Sequence, residues 1–165
     1  MKIARVTLSD RASEGIYADA SGPEIERVVA GFFAEELEWT RVLLPDDRNE
    51  IEAALRRLAD VEKCLLIVTT GGTGPAARDF TPEATRAVLE KELPGFGEVM
   101  RMRGYDSVKT AILSRATAGV RGGSLIVNLP GRPAAIGESL PLLLPAIVEA
   151  LDHIAGYRPK IGRSL

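Results

Sequence analysis

A glycine-rich loop follows an apolar run near the middle of the chain. The stretch IVTTGGTGPAARDFTPEAT, residues 67–85, places Gly71, Gly72, Thr73 and Gly74 directly after residues typical of a buried strand. Glycines let backbone N–H groups approach an anion closely, and a helix that begins after the loop adds partial positive charge. Thr73 can add a hydroxyl donor. The loop therefore predicts a site for phosphate or another oxyanion, although a strand-to-helix turn without a ligand can have the same composition.

Two common nucleotide-binding motifs do not match this loop. The Walker loop needs a lysine after its glycines, and none follows here. The dinucleotide fingerprint needs a further glycine at the start of a helix, whereas this chain continues with Pro75. The sequence therefore predicts a different phosphate loop, or a different ligand.

Acidic residues near the loop are candidates for holding a metal ion. Asp79 follows the glycines in ARDFTP, and Asp46 and Asp47 follow an apolar run that ends at Pro45. Magnesium prefers oxygen ligands and commonly takes one or two carboxylates together with phosphate oxygens and water. Asp79 is therefore a candidate to place magnesium against bound phosphates, and Asp46 or Asp47 could supply a second carboxylate. The alternative is that an acid caps a helix, and for Asp47 we favour that interpretation.

The segment after the first apolar run carries a second polar cluster. Ser9 and Asp10 can bind amides or ribose hydroxyls, and Arg11 can form paired hydrogen bonds with a phosphate or a carboxylate. The same residues could instead stabilise the turn in which they lie.

Two later segments add further polar groups. In NLPGRP, Asn128 offers a donor and acceptors to the edge of a heterocycle, and the turn at Pro130 and Gly131 permits close approach. In LSRA, Ser114 and Arg115 add a hydroxyl and a cation. For NLPGRP taken alone, a turn that ends a strand is the simpler interpretation.

Apolar runs alternate with helical periodicity along the chain. Short apolar runs predict strands at 3–8, 39–44, 65–69 and 124–128. Helical spacing predicts helices over about 22–37, from the DDRNE segment to about 58, from Thr81 to the KELPGFGE segment, onward to about 103, and over about 140–154. We expect Thr81 to cap its helix with Pro82 as the first helical residue, and Pro145 to kink the last helix or delay its start. Residues 110–118 give no clear pattern.

This alternation predicts an α/β fold, a three-layer αβα sandwich with a mostly parallel, mixed central sheet. Ligands of such sheets bind outside the carboxyl ends of the strands. The polar loops after Leu8, Thr70 and Asn128 all follow strand ends, as does Asp46. We therefore expect these loops to meet at one rim of the sheet.

Length and composition limit the class of protein. The 165 residues suit one domain spanning the whole chain. A net charge of −2 and a pI of about 5.6 argue against a general nucleic-acid binder. The longest apolar run, LPLLLPAIV, contains two prolines and is too short to span a bilayer, and no targeting signal opens the chain. We therefore expect a cytoplasmic protein with no membrane span.

The single cysteine and the single histidine are not expected to do chemistry. Cys64 begins an apolar run, which favours a small buried hydrophobe over a nucleophile. His153 lies late in the last predicted helix, where an exposed position is the usual one. One histidine also excludes a histidine-rich metal site.

Taken together, the motifs resemble one family. SDR at 9–11, TTGGTGPAARDFTPEAT from Thr69, ELPGFGE from Glu92, TAILSRA from Thr110 and NLPGRP from Asn128 occur in this order. They are similar to the molybdopterin adenylyltransferases of molybdenum-cofactor biosynthesis, the Mog type, which are related to the MoaB proteins and to the G domain of plant and animal fusion proteins. The resemblance covers nearly the whole chain, and the long glycine motif is its most specific part.

The resemblance implies a fold, a reaction and a set of site residues. It implies a three-layer α/β fold, usually a homotrimer, that uses ATP, magnesium and molybdopterin to make adenylylated molybdopterin and pyrophosphate. A separate molybdenum-insertion enzyme then takes the product. The two acidic active-site positions of the family fall on Asp46 and Asp79. The implied substrate contacts fall on Ser9, Asp10, Gly71, Gly72, Thr73, Gly74, Ser114, Arg115, Asn128, Pro130 and Gly131.

Two alternatives stay open at this point. A MoaB-like relative could bind molybdopterin or a nucleotide without adenylylation. A module of another class could serve mainly as a scaffold that recruits the molybdenum-insertion enzyme, and it would bind that partner without needing Asp46 or Asp79.

Overall fold

The computed structural model describes residues 1–162, whose elements alternate as the sequence predicts. The strands are β1 (Lys2–Leu8), β2 (Glu38–Leu44), β3 (Leu66–Thr70), β4 (Lys91–Glu92), β5 (Ala118–Arg121) and β6 (Ser124–Leu129). The helices are α1 (Asp10–Ser13), α2 (Ser21–Phe32), α3 (Arg48–Arg56), α4 (Thr81–Val88), α5 (Gly95–Ser107) and α6 (Pro133–Ala155). A π-helical turn, Arg57–Val61, continues α3, and a 3-10 helix, Lys109–Leu113, follows α5.

Within residues 1–162 the strands form one mixed sheet in the order β2-β1-β3-β6-β5-β4. β2, β1, β3 and β6 run parallel, whereas β5 is antiparallel to both β6 and β4. Every residue of β3 and β6 is buried, as expected for central parallel strands that are covered on both faces. The predicted α/β class and the mixed sheet are therefore confirmed.

Helices cover both faces of the sheet. On one face, α2, α5 and α6 enclose a core that includes Ile3, Leu66 and Val127. On the other face, α3 and α4 enclose a smaller core that includes Val6 and Ile67. Because side chains alternate along a strand, neighbouring residues such as Leu66 and Ile67 supply opposite cores. This arrangement is the three-layer sandwich expected from the sequence.

The carboxyl ends of the parallel strands lie side by side. In the strand register, Leu8 pairs with Leu44, Thr7 with Thr70, and Thr70 with Leu129. The chain moves from β1 to one side to form β2 and then to the other side to form β3, so the strand order reverses beside β1. Crevices at such reversals are where open α/β sheets bind ligands.

Several element boundaries differ from those that the sequence predicts. α2 ends at Phe32 instead of near residue 37, because Phe33 leaves the helix and pairs with Ile161. α4 ends at Val88, and the short antiparallel strands β4 and β5 were not predicted. Two residues in β4 and four in β5 are too few to show an alternating pattern.

The predicted cap of α4 and the predicted late start of α6 are wrong, whereas the kink expected at Pro145 stays a prediction. Phe80, not Thr81, occupies the cap position of α4, and the Thr81 hydroxyl donates to the Gly71 carbonyl at 2.8 Å. α6 begins at Pro133, so Pro145 does not delay its start, and both Pro141 and Pro145 lie inside it. α6 gains enough from packing its apolar face to outweigh the hydrogen bonds that these prolines remove.

α6 is also long and apolar enough to pass for a membrane span by length and composition. Its inner face, however, packs into the larger core through Ile136, Leu140, Leu144 and Ile147, none of which is exposed. Its apolar character is therefore accounted for by the core of this fold.

Candidate active site

The loops after β1 and β2 are joined by two acids at the rim. The Asp46 N–H donates to Asp10 Oδ1 at 2.9 Å, and the Asp10 N–H donates to Asp46 Oδ2 at 3.1 Å. Ser9 caps α1, since its Oγ accepts from the Ala12 N–H at 3.2 Å, and it also bonds the Tyr17 hydroxyl at 2.7 Å. These segments are far apart in sequence, and the sheet brings them together as predicted.

Arg78 links the glycine loop to this pair of acids. Its guanidinium donates to both carboxylate oxygens of Asp10, at 2.6 and 2.8 Å, and to the Asp46 carbonyl at 3.3 Å. The hydrogen bond from Arg78 is the main cause that lowers the pKa of the Asp10 carboxyl below its usual value. Asp10 is therefore already engaged by the protein's own cation.

Asp46 is in a different electrostatic situation. Its Oδ1 is buried and has no hydrogen-bond partner among residues 1–162. Burial raises the pKa of the Asp46 carboxyl, and the negative charges of Asp10 and Asp79 act in the same direction. The carboxylate therefore presents an unpaired oxygen that a cation or a hydrogen-bond donor would stabilise.

The glycine loop takes a backbone conformation that requires glycine at two positions. Gly71 and Gly72 have φ of 97° and 60°. A Cβ on Gly71 would lie 2.2 Å from the Leu8 carbonyl oxygen, and one on Gly72 would lie 3.0 Å from Asp46 Oδ1. The loop can therefore pass against the β1 loop and Asp46 only because these side chains are absent.

The loop also leaves donors for a ligand. Among residues 1–162, the N–H groups of Gly72, Thr73 and Gly74 donate to no protein acceptor. Successive unpaired N–H groups in a loop that contains left-handed residues form a favourable environment for an anion. The predicted phosphate site is consistent with this geometry.

Asp79 closes the far side of the same loop. Its Oδ2 accepts from the Ala76 N–H at 3.0 Å, and this oxygen would lie 2.8 Å from a Cβ on Gly74. The Asp79 carboxylate therefore stands against the glycines, on the same side of the fold as Asp46. Asp47, in contrast, caps α3 by accepting from the Glu50 N–H at 3.0 Å, as favoured from the sequence.

Arg115 holds the glycine loop from outside. Its guanidinium donates to the Gly74 carbonyl at 2.9 Å, to the Asp79 carbonyl at 2.7 Å and to the Glu83 carboxylate. The Arg115 N–H also donates to the Thr73 carbonyl at 2.8 Å. The side chain is thus used to fix the loop, which the sequence did not indicate.

Asn128 lies inside the fold instead of at the rim. The residue is fully buried, and its amide donates to Thr69 Oγ1 at 3.0 Å and Thr85 Oγ1 at 2.9 Å. Its side-chain carbonyl oxygen accepts from the Thr117 N–H at 3.4 Å. The predicted contact of Asn128 with a heterocycle therefore has no support in this geometry, because the side chain ties β3, β6 and α4 together instead.

Two cavities meet beside the loop and share Gly131 and Arg132 in their walls. The Ser114 cavity, of about 330 Å³, is lined by Thr73, Gly74, Ser114, Pro130 and Gly131 among others. The Tyr17 cavity, of about 370 Å³, is lined by Ser9, Tyr17, Asp19 and Gly71 among others. Each is large enough for a small ligand, and the glycine loop contributes to both. Two adjoining cavities suit a reaction between two bound molecules.

Cys64 and His153, which were not expected to do chemistry, lie away from this rim. Cys64 is buried, and burial raises the pKa of its thiol, which disfavours the thiolate. His153 is exposed in the last turn of α6. Arg78 and Tyr17 were missed, because their partners Asp10 and Ser9 can be identified only once the loops are folded.

Comparison with known proteins identifies the family to which the chain belongs. The chain matches the family described as probable molybdopterin binding domain over residues 4–149. It is 50% identical over 154 residues to the molybdopterin adenylyltransferase of Helicobacter pylori strain J99, covering 93% of this chain and 88% of the relative. It is 46% identical over 140 residues to the molybdopterin adenylyltransferase of Escherichia coli K12, covering 85% of this chain and 72% of the relative.

Solved structures show the same fold. The molybdopterin biosynthesis enzyme MoaB from Thermus thermophilus superimposes with a TM-score of 0.88 at 43% identity, covering 96% of this chain and 99% of that one. A structure of MogA superimposes with a TM-score of 0.84 at 35% identity, covering 94% of this chain and 100% of that one. The resemblance found in the motifs is thus confirmed, and the chain belongs to the MoaB/Mog family of molybdopterin-binding proteins.

Proposed function

We propose that this chain is a molybdopterin adenylyltransferase, a nucleotidyltransferase of molybdenum-cofactor biosynthesis. Its relatives with 46% to 51% identity carry that name. The observation that carries the proposal is that Asp46 and Asp79 both lie against the Gly71–Gly74 loop, which itself contributes to the walls of two adjoining cavities. ATP and molybdopterin are the two substrates.

The reaction needs positioning more than it needs a reactive side chain. An oxygen of the molybdopterin terminal phosphate forms a bond to the α-phosphorus of ATP, the bond from that phosphorus to the β-phosphate oxygen breaks, and pyrophosphate leaves. The nucleophile is already an anion, so no protein nucleophile is required. The barrier is largely the approach of two anions, which fixed donors offset while they align the groups. The unpaired N–H groups of Gly72, Thr73 and Gly74 are such donors.

Asp46 and Asp79 are the residues that would hold magnesium. Among residues 1–162 no three acidic, histidine or cysteine side chains form a complete protein-made metal site. The two carboxylates of Asp46 and Asp79 fit magnesium, which takes one or two carboxylates and completes its shell with phosphate oxygens and water. The unpaired Asp46 Oδ1 supplies a ligand that the protein itself leaves unused. When bound, the ion would neutralise charge on the phosphates.

Two arginines near the site position the glycine loop and neutralise a neighbouring acid. Arg115 fixes the Gly74 and Asp79 carbonyls, which directs the loop's N–H groups away from that side. Arg78 neutralises Asp10, so that this carboxylate adds less repulsion to an approaching phosphate. Both are positioning residues in this proposal.

The proposal is tested by product formation. Purified protein with ATP, magnesium and molybdopterin should release pyrophosphate and form adenylylated molybdopterin. The Asp46→Asn and Asp79→Asn variants should each lose about 100-fold or more in rate, because each removes a carboxylate that would hold magnesium against the phosphates. The exposed Asp106→Asn change on α5 is the matched control and should keep full rate.

The outcomes separate the alternatives. Binding of molybdopterin or ATP without pyrophosphate release would favour a MoaB-like binding protein. Absence of nucleotide affinity in calorimetry, together with partner binding that survives both Asn variants, would favour a scaffold. Full turnover by folded Asp79→Asn protein would refute the role given to that acid.

The assembly and the partner are also proposed. We propose a homotrimer in the cytoplasm, where ATP is found, that passes its product to a molybdenum-insertion enzyme. The support in the fold is an apolar stripe on α5, formed by Val99, Met102 and Tyr105, whose exposed fractions are 41%, 73% and 41%. Exposed apolar patches of this kind commonly mark protein contacts.

A further inference from the structure

One carboxylate in the cavity walls has no part in the proposed reaction. Glu138 lies in the second turn of α6, is exposed, and lines the Ser114 cavity. It also lines an adjoining recess of about 260 Å³ together with Arg103 and Ser139. Within residues 1–162 it makes no hydrogen bond and no ion pair, so its two oxygens are free to accept from a ligand.

The acids around the glycine loop differ from Glu138 in this respect. Asp10 is bound by Arg78, Glu83 by Arg115, and Asp79 by the Ala76 N–H. An unpartnered carboxylate in a cavity wall would weaken the binding of any anion by simple repulsion. A positive role for Glu138 therefore requires donors on the part of the ligand that reaches it.

The rest of the Ser114 cavity suits a flat ring attached to a phosphate. Thr73 and Gly74 contribute the end of the phosphate loop, and Met100, Val108 and Leu113 contribute apolar wall. Small-molecule sites commonly combine apolar walls with a few polar groups that fix orientation. A heterocycle can pack on this wall while its phosphate approaches the loop.

We propose that Glu138 recognises the pterin ring of molybdopterin through its 2-amino group and N3–H. These two neighbouring donors match the two oxygens of a carboxylate, as a paired hydrogen bond to a charged group. The adenine edge places its amino donor beside the unshared electron pair of N1, which a carboxylate repels. Glu138 thus selects pterin over adenine for the Ser114 cavity, which makes it a specificity-determining residue. This inference rests on the proposed function.

The test compares two ligands and two variants. The ligands are 6-hydroxymethylpterin phosphate and its lumazine counterpart, in which oxygen replaces the 2-amino group. Glu138→Gln keeps the size of the side chain but turns one acceptor into a donor. Glu149→Gln, on the same helix and exposed, makes the same change of charge outside the cavity. Binding is measured by fluorescence of the ring, and ATP binding by calorimetry.

The wild-type chain should bind the pterin at least about tenfold more tightly than the lumazine, and Glu138→Gln should remove that preference. ATP affinity should be equal or higher in Glu138→Gln, because a negative charge has been removed. Equal pterin affinity in Glu138→Gln and Glu149→Gln would overturn the inference and leave the proposed function standing. Loss of both pterin and ATP affinity in Glu138→Gln would also overturn the inference. A wild-type chain that binds no pterin would contradict the proposed function itself.

Discussion

Asp46 is the residue at which function and stability are expected to conflict. Its buried Oδ1 has no partner, and burial raises its pKa. A carboxyl whose pKa is higher in the folded state favours folding while it is protonated, and this contribution is lost as pH rises through its unfolded and then its folded pKa. At neutral pH the ionised Asp46 therefore destabilises the ligand-free protein.

We predict that Asp46→Asn unfolds at or above the wild-type temperature at neutral pH, while its adenylylation rate falls about 100-fold or more. The difference in thermal midpoint should shrink in the acid range, where Asp46 is protonated. Thermal denaturation of ligand-free protein at both pH values is the measurement. A clear loss of stability in Asp46→Asn at neutral pH would contradict the electrostatic account of this residue.

Asn128 is predicted to matter for folding and not for ligand contact. Asn128→Ala removes the donors to Thr69 and Thr85 and leaves a void in the interior. The free energy of unfolding should fall by about 1–3 kcal/mol, whereas the exposed Asn49→Ala on α3 should change it by less than about 0.5 kcal/mol. Denaturant unfolding measures both. Unchanged stability of Asn128→Ala with lost ligand affinity would restore the rim role expected from the sequence.

That Asp46, Asp79 and the glycine loop lie together could be predicted from the sequence, because all three follow strands whose carboxyl ends meet at one rim. The structural roles of Arg115 and Asn128 could not be predicted from the sequence. An arginine that bonds loop carbonyls has the same local sequence as one that binds a phosphate. An asparagine at a strand end can turn inward or outward, and only the positions of Thr69 and Thr85 decide which.

At the scale of elements, the β3–α4 loop depends on close backbone approach. Gly71→Ala would place a Cβ 2.2 Å from a carbonyl oxygen, in a φ that alanine rarely adopts. We predict a stability loss of about 1–3 kcal/mol with loss of nucleotide affinity. Gly31→Ala in α2 has open space and should be neutral or stabilising by up to about 1 kcal/mol. If Gly71→Ala behaved like Gly31→Ala in unfolding and in ATP calorimetry, the loop would not be constrained as described.

The elements with long apolar patterns were the ones that could be predicted. β1, β3, β6 and the inner face of α6 follow from runs and spacings in the sequence. The end of α2 could not be predicted, because the partner that draws Phe33 out of the helix is Ile161, near the other end of the chain. The cap of α4 was misassigned because the Thr81 hydroxyl bonds the Gly71 carbonyl and not its own helix.

At the scale of the whole molecule, the α5 stripe is expected to be covered by other copies of the chain. Light scattering at micromolar concentration should give the mass of a trimer. Met102→Glu places a charge in the stripe and should release monomers, because burying an unpaired charge is costly. Val61→Glu changes a residue that is similarly exposed, at 75%, but lies outside α5, and should stay trimeric. A wild-type monomer under these conditions would count against the proposed assembly.

The proposed reaction requires that loops from three strands act on one pair of phosphates. A crystal structure of the chain with adenylylated molybdopterin tests this most directly. We predict that the bridging phosphates lie within hydrogen-bond distance of the Gly72, Thr73 and Gly74 N–H groups, with Asp46 and Asp79 beside them. Product bound on another face of the molecule, or with both acids remote from its phosphates, would contradict the account.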